Sequence, residues 1–284
     1  MSTKVVAILT STPEDMDNIT DTINSLIFGS RPPEEIVIAL PLTARYKIPA
    51  ALRHSERIRL ERTDYDFGSL TGLACALELY DDRADIQLML VSSTMRYPKN
   101  IVQEFLAIRP ELEKQLASKL PQYTSSIWGT GGTVMVQNKE RDMDRELEAL
   151  MAGHDIAPSD NRTIIGYVRE NATVDILETH GVIWLNRQQV VKSDFMQMLK
   201  KYGDGLVKGL LCGDTLLSNY MASRNIFRTQ ICTLTLNRYL LEVGGFSDHR
   251  RRRTKQAKEI VVANTVKLLQ SNGSFHIWAT AANS

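Results

Sequence analysis

Apolar residues recur along this chain in two alternating rhythms. Short unbroken runs at residues 4–9, 35–40 and 86–91 predict buried strands. Residues 17–28 instead place Ile19, Ile23, Leu26 and Ile27 at helical spacing. Residues 69–80 do the same with Leu70, Leu73, Leu77 and Tyr80, so both predict amphipathic helices. Arg31-Pro32-Pro33 ends the first helix, and residues 58–60 predict a short strand. Two further helices are expected, at 100–108 and 111–120, separated at Pro110. Strand, helix, strand is the unit of a parallel sheet.

The second half is less regular. Strands are expected at 134–136, 164–168, 173–177, 182–185, 231–236 and 275–279. Helices are expected at 138–152, 193–201, 212–224 and 259–269. The pattern predicts an α/β fold with a parallel core in the first half and mixed pairing in the second.

Composition narrows the class. The chain has 284 residues, 43% hydrophobic and 24% charged, enough for a sizeable core without staples. A net charge of +1 gives no global field to recruit nucleic acid. Cys75, Cys212 and Cys232 are odd in number and have no metal-ligand spacing, which fits reduced thiols. The apolar run at 5–9 is too short for a signal peptide, and no stretch approaches the roughly 18 apolar residues of a membrane span. The expectation is a cytoplasmic protein without a transmembrane segment.

Four stretches carry candidate chemistry. Asp64-Tyr65-Asp66-Phe67-Gly68-Ser69-Leu70-Thr71-Gly72 sets carboxylates and glycines before a helix. It reads either as a helix cap or as a place where backbone meets ribose or phosphate. Cys212-Gly213-Asp214-Thr215 opens an apolar helix. Asp214 there is either a first-turn acid or a general base on a rigid support. Asp175, Glu178 and His180 cluster around a strand end. Arg250, Arg251, Arg252 and Arg253, followed by Lys255, form either a solvated face or a phosphate clamp, and His276 is a weaker candidate of that kind.

The order of these pieces resembles the GT-A-fold glycosyltransferases of bacteria and large DNA viruses (chlorovirus-like). The resemblance runs from about residue 4 to residue 236. Thr10-Ser11-Thr12-Pro13 ends the first strand, and Arg45-Tyr46 and Ile48-Pro49 follow IVIALP. Asp66-Phe67-Gly68 with Thr71 is similar to the family's D-Y-G-P-x-T-K. LMLV is followed by Tyr97-Pro98. Val174–Val182 and Gly213–Ile226 are similar to V-D-x-L-x-G-x-G-G-V and S-D-D-I-x-x-S-x-Y-L-A-x-x-G-I.

The resemblance implies one GT-A domain over 1–284, a central, mostly parallel mixed sheet flanked by helices. A nucleotide-sugar half would span 1–125, and an acceptor half with a C-terminal basic segment 126–284. It implies a nucleotide-sugar donor, expected to be a UDP-sugar, at Thr10, Thr12, Arg45, Asp66, Gly68, Thr71, Ser92, Ser93 and Thr94. A glycan or glycoprotein acceptor would meet Asp175, Glu178 and His180. Asp214 would be the base of an inverting transfer, hexosyl or pentosyl, with xylose and rhamnose as guesses from the viral members.

The departures matter as much. The family's V-D-D-D acids are here Ser92, Ser93 and Thr94; Gly72 replaces a lysine, and Gly213 the first acid of an Asp pair. Hydroxyls are weak ligands for Mg²⁺ or Mn²⁺. The expectation is therefore a metal-independent enzyme with no cofactor, its diphosphate stabilised by Arg250–Arg253, Arg96, Lys255 or His276. The alternative is an inactive nucleotide- or glycan-binding scaffold.

Overall fold

In a computed structural model the described residues are 3–81, 83–120, 122–134, 166–167, 172–178, 181–231, 241–242 and 248–277. The first half alternates as expected: β1 (Lys4–Thr10), α1 (Ile19–Ile27), β2 (Glu35–Pro41), the short α2 (Ala50–Arg53), β3 (Ile58–Thr63), α3 (Thr71–Leu79) and β4 (Ile86–Val91). Then come β5 (Met95–Arg96), α4 (Ile101–Lys119), β6 (Ser126–Gly129), β7 (Gly132–Val134), β8 (Gly166–Tyr167), β9 (Ala172–Thr173), β10 (Ile176–Leu177) and β11 (Val182–Asn186). α5 (Lys192–Val207), α6 (Gly213–Ser223), β12 (Phe227–Gln230), β13 (Leu241–Glu242) and α7 (Asp248–Ser271) follow.

Eight strands form the central sheet, in the order β3-β2-β1-β4-β11-β6-β12-β9. The first four pair in parallel, and β11 runs antiparallel to both β4 and β6. This is the mostly parallel mixed sheet expected, and because β4 pairs with β11 it joins the two halves of the chain. β10-β7-β8 and β13-β5 form two small separate sheets.

Both faces of β1, β2 and β4 are covered, so these strands have no solvent-facing side. In β1, Val6 and Ile8 join the cluster under α3, α5 and α6, while Val5, Ala7 and Leu9 join the cluster with α1 and α4. That two-sided burial is why the strand reads as a continuous apolar run. Gln87, the polar residue in β4, is buried and accepts from Arg109 Nη1 at 2.6 Å. In the second cluster the Phe105 ring stacks on Trp184, centroids 4.0 Å apart.

Several expectations need correction. The two helices expected at 100–108 and 111–120 are one helix, α4, with Pro110 inside. Pro110 removes one intrahelical bond, but Phe105, Leu112 and Leu116 keep one face packed through it. Residues 173–177 divide into β9 and β10, with Asp175 at the break. A strand not expected from the sequence, β12, ends at Gln230; Ile231 is not in a strand, and the rest of the strand expected at 231–236 lies outside the described residues. No strand forms at 275–277, and α7 begins eleven residues before the helix expected at 259. The helix at 138–152, His180 and Cys232 lie outside the described residues. Among the described residues no helix is long and apolar enough to cross a membrane.

Candidate functional site

The chain builds β1, β2 and β3 outward in one direction, then crosses back through α3 to place β4 on the other side of β1. Such a reversal leaves a crevice at the carboxyl ends of the strands, where open α/β sheets bind ligands. A cavity of about 510 Å³ occupies that place. Its walls come from the end of β1, the β2–α2 turn, residues 66–73, the end of β4, Val207, Asp214 and Lys258.

Thr10 closes β1. Its Oγ1 accepts the Gly72 N–H at 2.7 Å and faces the Ser69 carbonyl at 3.4 Å. Gly72 is needed for that contact. A Cβ there would sit 3.0 Å from Ile8 Cγ2 and 3.1 Å from the Leu9 carbonyl carbon. α3 therefore lies on β1 at backbone distance. Next along, the Tyr46 hydroxyl donates to the Ser11 carbonyl at 3.1 Å, and the Arg62 guanidinium lies 5.3 Å from the Tyr46 ring centre. Thr12 also lines the cavity.

Asp66 shapes the next wall. Its Oδ1 accepts the Gly68 N–H at 2.9 Å, and Thr43 Oγ1 lies 3.4 Å from Oδ2. Gly68 has φ +56°, a left-handed turn that suits glycine. Thr71 is fully buried beneath the wall. Its Oγ1 accepts the Phe67 N–H at 2.8 Å and donates to the Gly68 carbonyl at 2.9 Å. Asp66, Gly68 and Ser69 face the cavity, whereas Thr71 fixes the turn from below.

Ser92, Ser93 and Thr94 form the turn after β4, and all three line the cavity. Ser92 Oγ and Thr94 Oγ1 are 2.9 Å apart, and Ser93 Oγ donates to Asp15 Oδ2 at 2.9 Å. Tyr97 supports the turn by accepting the Ser92 N–H at 2.7 Å. Among the described residues no group of three or more His, Cys, Asp or Glu is placed to hold a metal ion. The donor set at this turn does not fit the divalent cation that a GT-A site would call for.

The opposite wall carries charge. Asp214 stands in the first turn of α6 and is buried. Lys258, on α7, places Nζ 3.5 Å from Asp214 Oδ2 and 3.4 Å from Glu178 Oε2. Burial by itself would lower the Lys258 ammonium, but Asp214 and then Glu178 outweigh it and hold it above the ordinary lysine range. Lys258 escaped the sequence reading because a single lysine beside a helical run carries no local signal. The tetra-arginine run, Arg250–Arg253, stands in the same helix.

The structure does not bring every candidate to the cavity. Arg45 is exposed and outside the lining, although its neighbours Ala44 and Tyr46 belong to it. Asp175 is buried beside Arg228, whose guanidinium donates to the carbonyls of Val174, Ile226 and Ile277. Burial pulls Arg228 down to about 10, and the Asp175 charge opposes that fall, so the guanidinium stays charged at neutral pH. That pairing accounts for an acid between β9 and β10. Glu178 reaches the site through Lys258. His276 is exposed outside the lining, its backbone N–H donating to Asn219 Oδ1 at 2.7 Å. Arg96 is exposed on β5. Arg250–Arg253 and Lys255 fall in the first turns of α7, and their side chains lie outside the described residues.

No family model matches the chain, and no curated protein matches it. Solved structures do. The chain is similar to residues 1–349 of S. aureus TarS in complex with UDP-GlcNAc, at 12% identity and a TM-score of 0.46, over 96% of this chain and 75% of that one. It is also similar to a Bacillus anthracis protein described as a glucose-1-phosphate thymidylyltransferase, in complex with a sucrose. There the identity is 12% and the TM-score 0.36, over 91% of this chain and 95% of that one.

Proposed function

We propose that this chain transfers a sugar from a nucleoside-diphosphate donor to a hydroxyl of a glycan acceptor, with inversion and without a divalent metal. The observation that supports this is convergence. Thr10, Thr12, Asp66, Gly68, the Ser92–Thr94 turn and Asp214 are far apart in sequence, yet all line one cavity at the sheet's switch point. In this reading the β1 end and the Asp66 turn hold the nucleoside, with a UDP-sugar the first donor to try. The hydroxyls of Ser92, Ser93 and Thr94 bond ribose or phosphate oxygens.

Asp214 is the base. It takes the proton of the acceptor hydroxyl as that oxygen bonds to C1 of the sugar. The C1–O bond to the diphosphate breaks, and its electron pair leaves with the nucleoside diphosphate. A positioned base of this kind contributes roughly 10²–10⁴-fold. Glu178, beside Lys258, and His180 are proposed on the acceptor side, and xylose or rhamnose as the transferred sugar.

One observation favours the scaffold reading: the proposed base already stands in an ion pair with Lys258. Asp214→Asn separates the two. The enzyme reading expects transfer from a labelled nucleotide-sugar panel to fall by two or more orders of magnitude while donor binding stays. A wild-type protein that binds donors but transfers none from the panel, to water or to sugar acceptors, would overturn the enzyme reading.

A further inference from the structure

Among the described residues lining the cavity, Lys258 is the single cation; the charged side chains beside it are Asp15, Asp66 and Asp214. A diphosphate carries two or more negative charges and gains more as it leaves. Such a leaving group cannot sit against three carboxylates and a hydroxyl turn without a positive partner. The position of Lys258 suits that task. Its contacts of 3.4 and 3.5 Å are longer than the ~2.7–2.9 Å of a tight charge-assisted bond. The ammonium is shared between Asp214 and Glu178 and locked to neither. Its side chain keeps about a third of its exposure, while Asp214 keeps 8%.

We propose that Lys258 is the resident cation of this site, and that it exchanges anions during turnover. Without nucleotide it faces Asp214 and Glu178. When the donor binds, the ammonium turns onto the diphosphate. This rests on the transferase reading above and adds to it a named replacement for the metal.

Titration calorimetry in excess EDTA tests this, using UDP, ADP, GDP, CDP and dTDP and the matching free nucleosides. Wild type is expected to bind at least one diphosphate, with Mn²⁺ changing its Kd by less than about twofold. Lys258→Met should weaken that diphosphate by about ten- to a hundredfold, the loss of a hydrogen bond to a charged group. The nucleoside should be unaffected within about threefold, and Lys258→Arg should restore most of the diphosphate preference. Lys258→Met removes a cation shared by two carboxylates, so Lys258→Met with Glu178→Gln serves as the folded control, checked by thermal melting.

The inference fails alone if wild type binds but Lys258→Met, or its folded control, keeps diphosphate affinity within threefold. It also fails if EDTA abolishes wild-type binding and Mn²⁺ restores it, a result that needs no variant. No binding by wild type under any condition removes the transferase reading and this inference together.

Discussion

Gly213 opens α6 one residue before the proposed base, and Gly213→Ala tests how tightly that helix is seated. A Cβ at Gly213 would lie 2.3 Å from Ser69 Oγ and 3.2 Å from Leu70 Cγ. Both neighbours belong to the turn that lines the cavity, and Leu70 is fully buried. Ser69 can rotate away at a cost of about 0.5–1.5 kcal/mol. Leu70 has nowhere to go, and forcing volume into such packing costs about 1–3 kcal/mol. Against this, alanine favours a helix over glycine by about 0.5–1 kcal/mol. The balance is a net loss of about 0.5–4 kcal/mol, and each kcal/mol lowers Tm by about 2–4 °C in a domain of comparable size. Urea unfolding monitored by far-UV circular dichroism measures the loss directly. Ser69→Gly in the same background should recover about 0.5–1.5 kcal/mol, because the two sites share the contact. Gly213→Asp should do worse still, by adding both volume and a second charge beside Asp214. A Gly213→Ala protein as stable as wild type, or more stable, would refute the close-packing account of this position.

Other outcomes follow from single contacts. Thr10→Val leaves the Gly72 N–H without its 2.7 Å acceptor and should cost about 1–3 kcal/mol, read by thermal melting. Ser93→Asp replaces a hydroxyl that donates to Asp15 with a like charge. Its destabilisation should vanish with Asp15→Asn; a defect indifferent to that change contradicts the contact. Burial, then Glu61 and Glu78, push the Cys75 thiol up to about 12. With the folded value raised, its contribution to stability is complete below about pH 8.5, the unfolded value, and is lost as pH climbs towards 12. Native protein should therefore label at Cys75 with iodoacetamide at pH 8 far more slowly than protein in urea, as read by peptide mass spectrometry.

Sequence by itself determined the strands and their burial. The runs at β1, β2 and β4 are apolar at nearly every position that a two-sided sheet buries, Gln87 excepted, so element type and the parallel first half were legible. It also located the Asp66 turn, the Ser92–Thr94 turn and Asp214, because each sits where a strand ends or a helix begins. What it could not determine was distance between segments. Asp175 read as an acceptor contact because its neighbours in sequence resemble a motif, but its charge faces Arg228, 53 residues on. Pro110 read as a helix boundary, yet packing on both sides of it carries α4 through. Lys258 had no pattern to announce it. Only the fold, by laying α7 across the start of α6, brings its ammonium to Asp214 and Glu178. Local structure follows from local periodicity; a charged site is made of groups whose sole relation is proximity in space, and tertiary packing alone sets that.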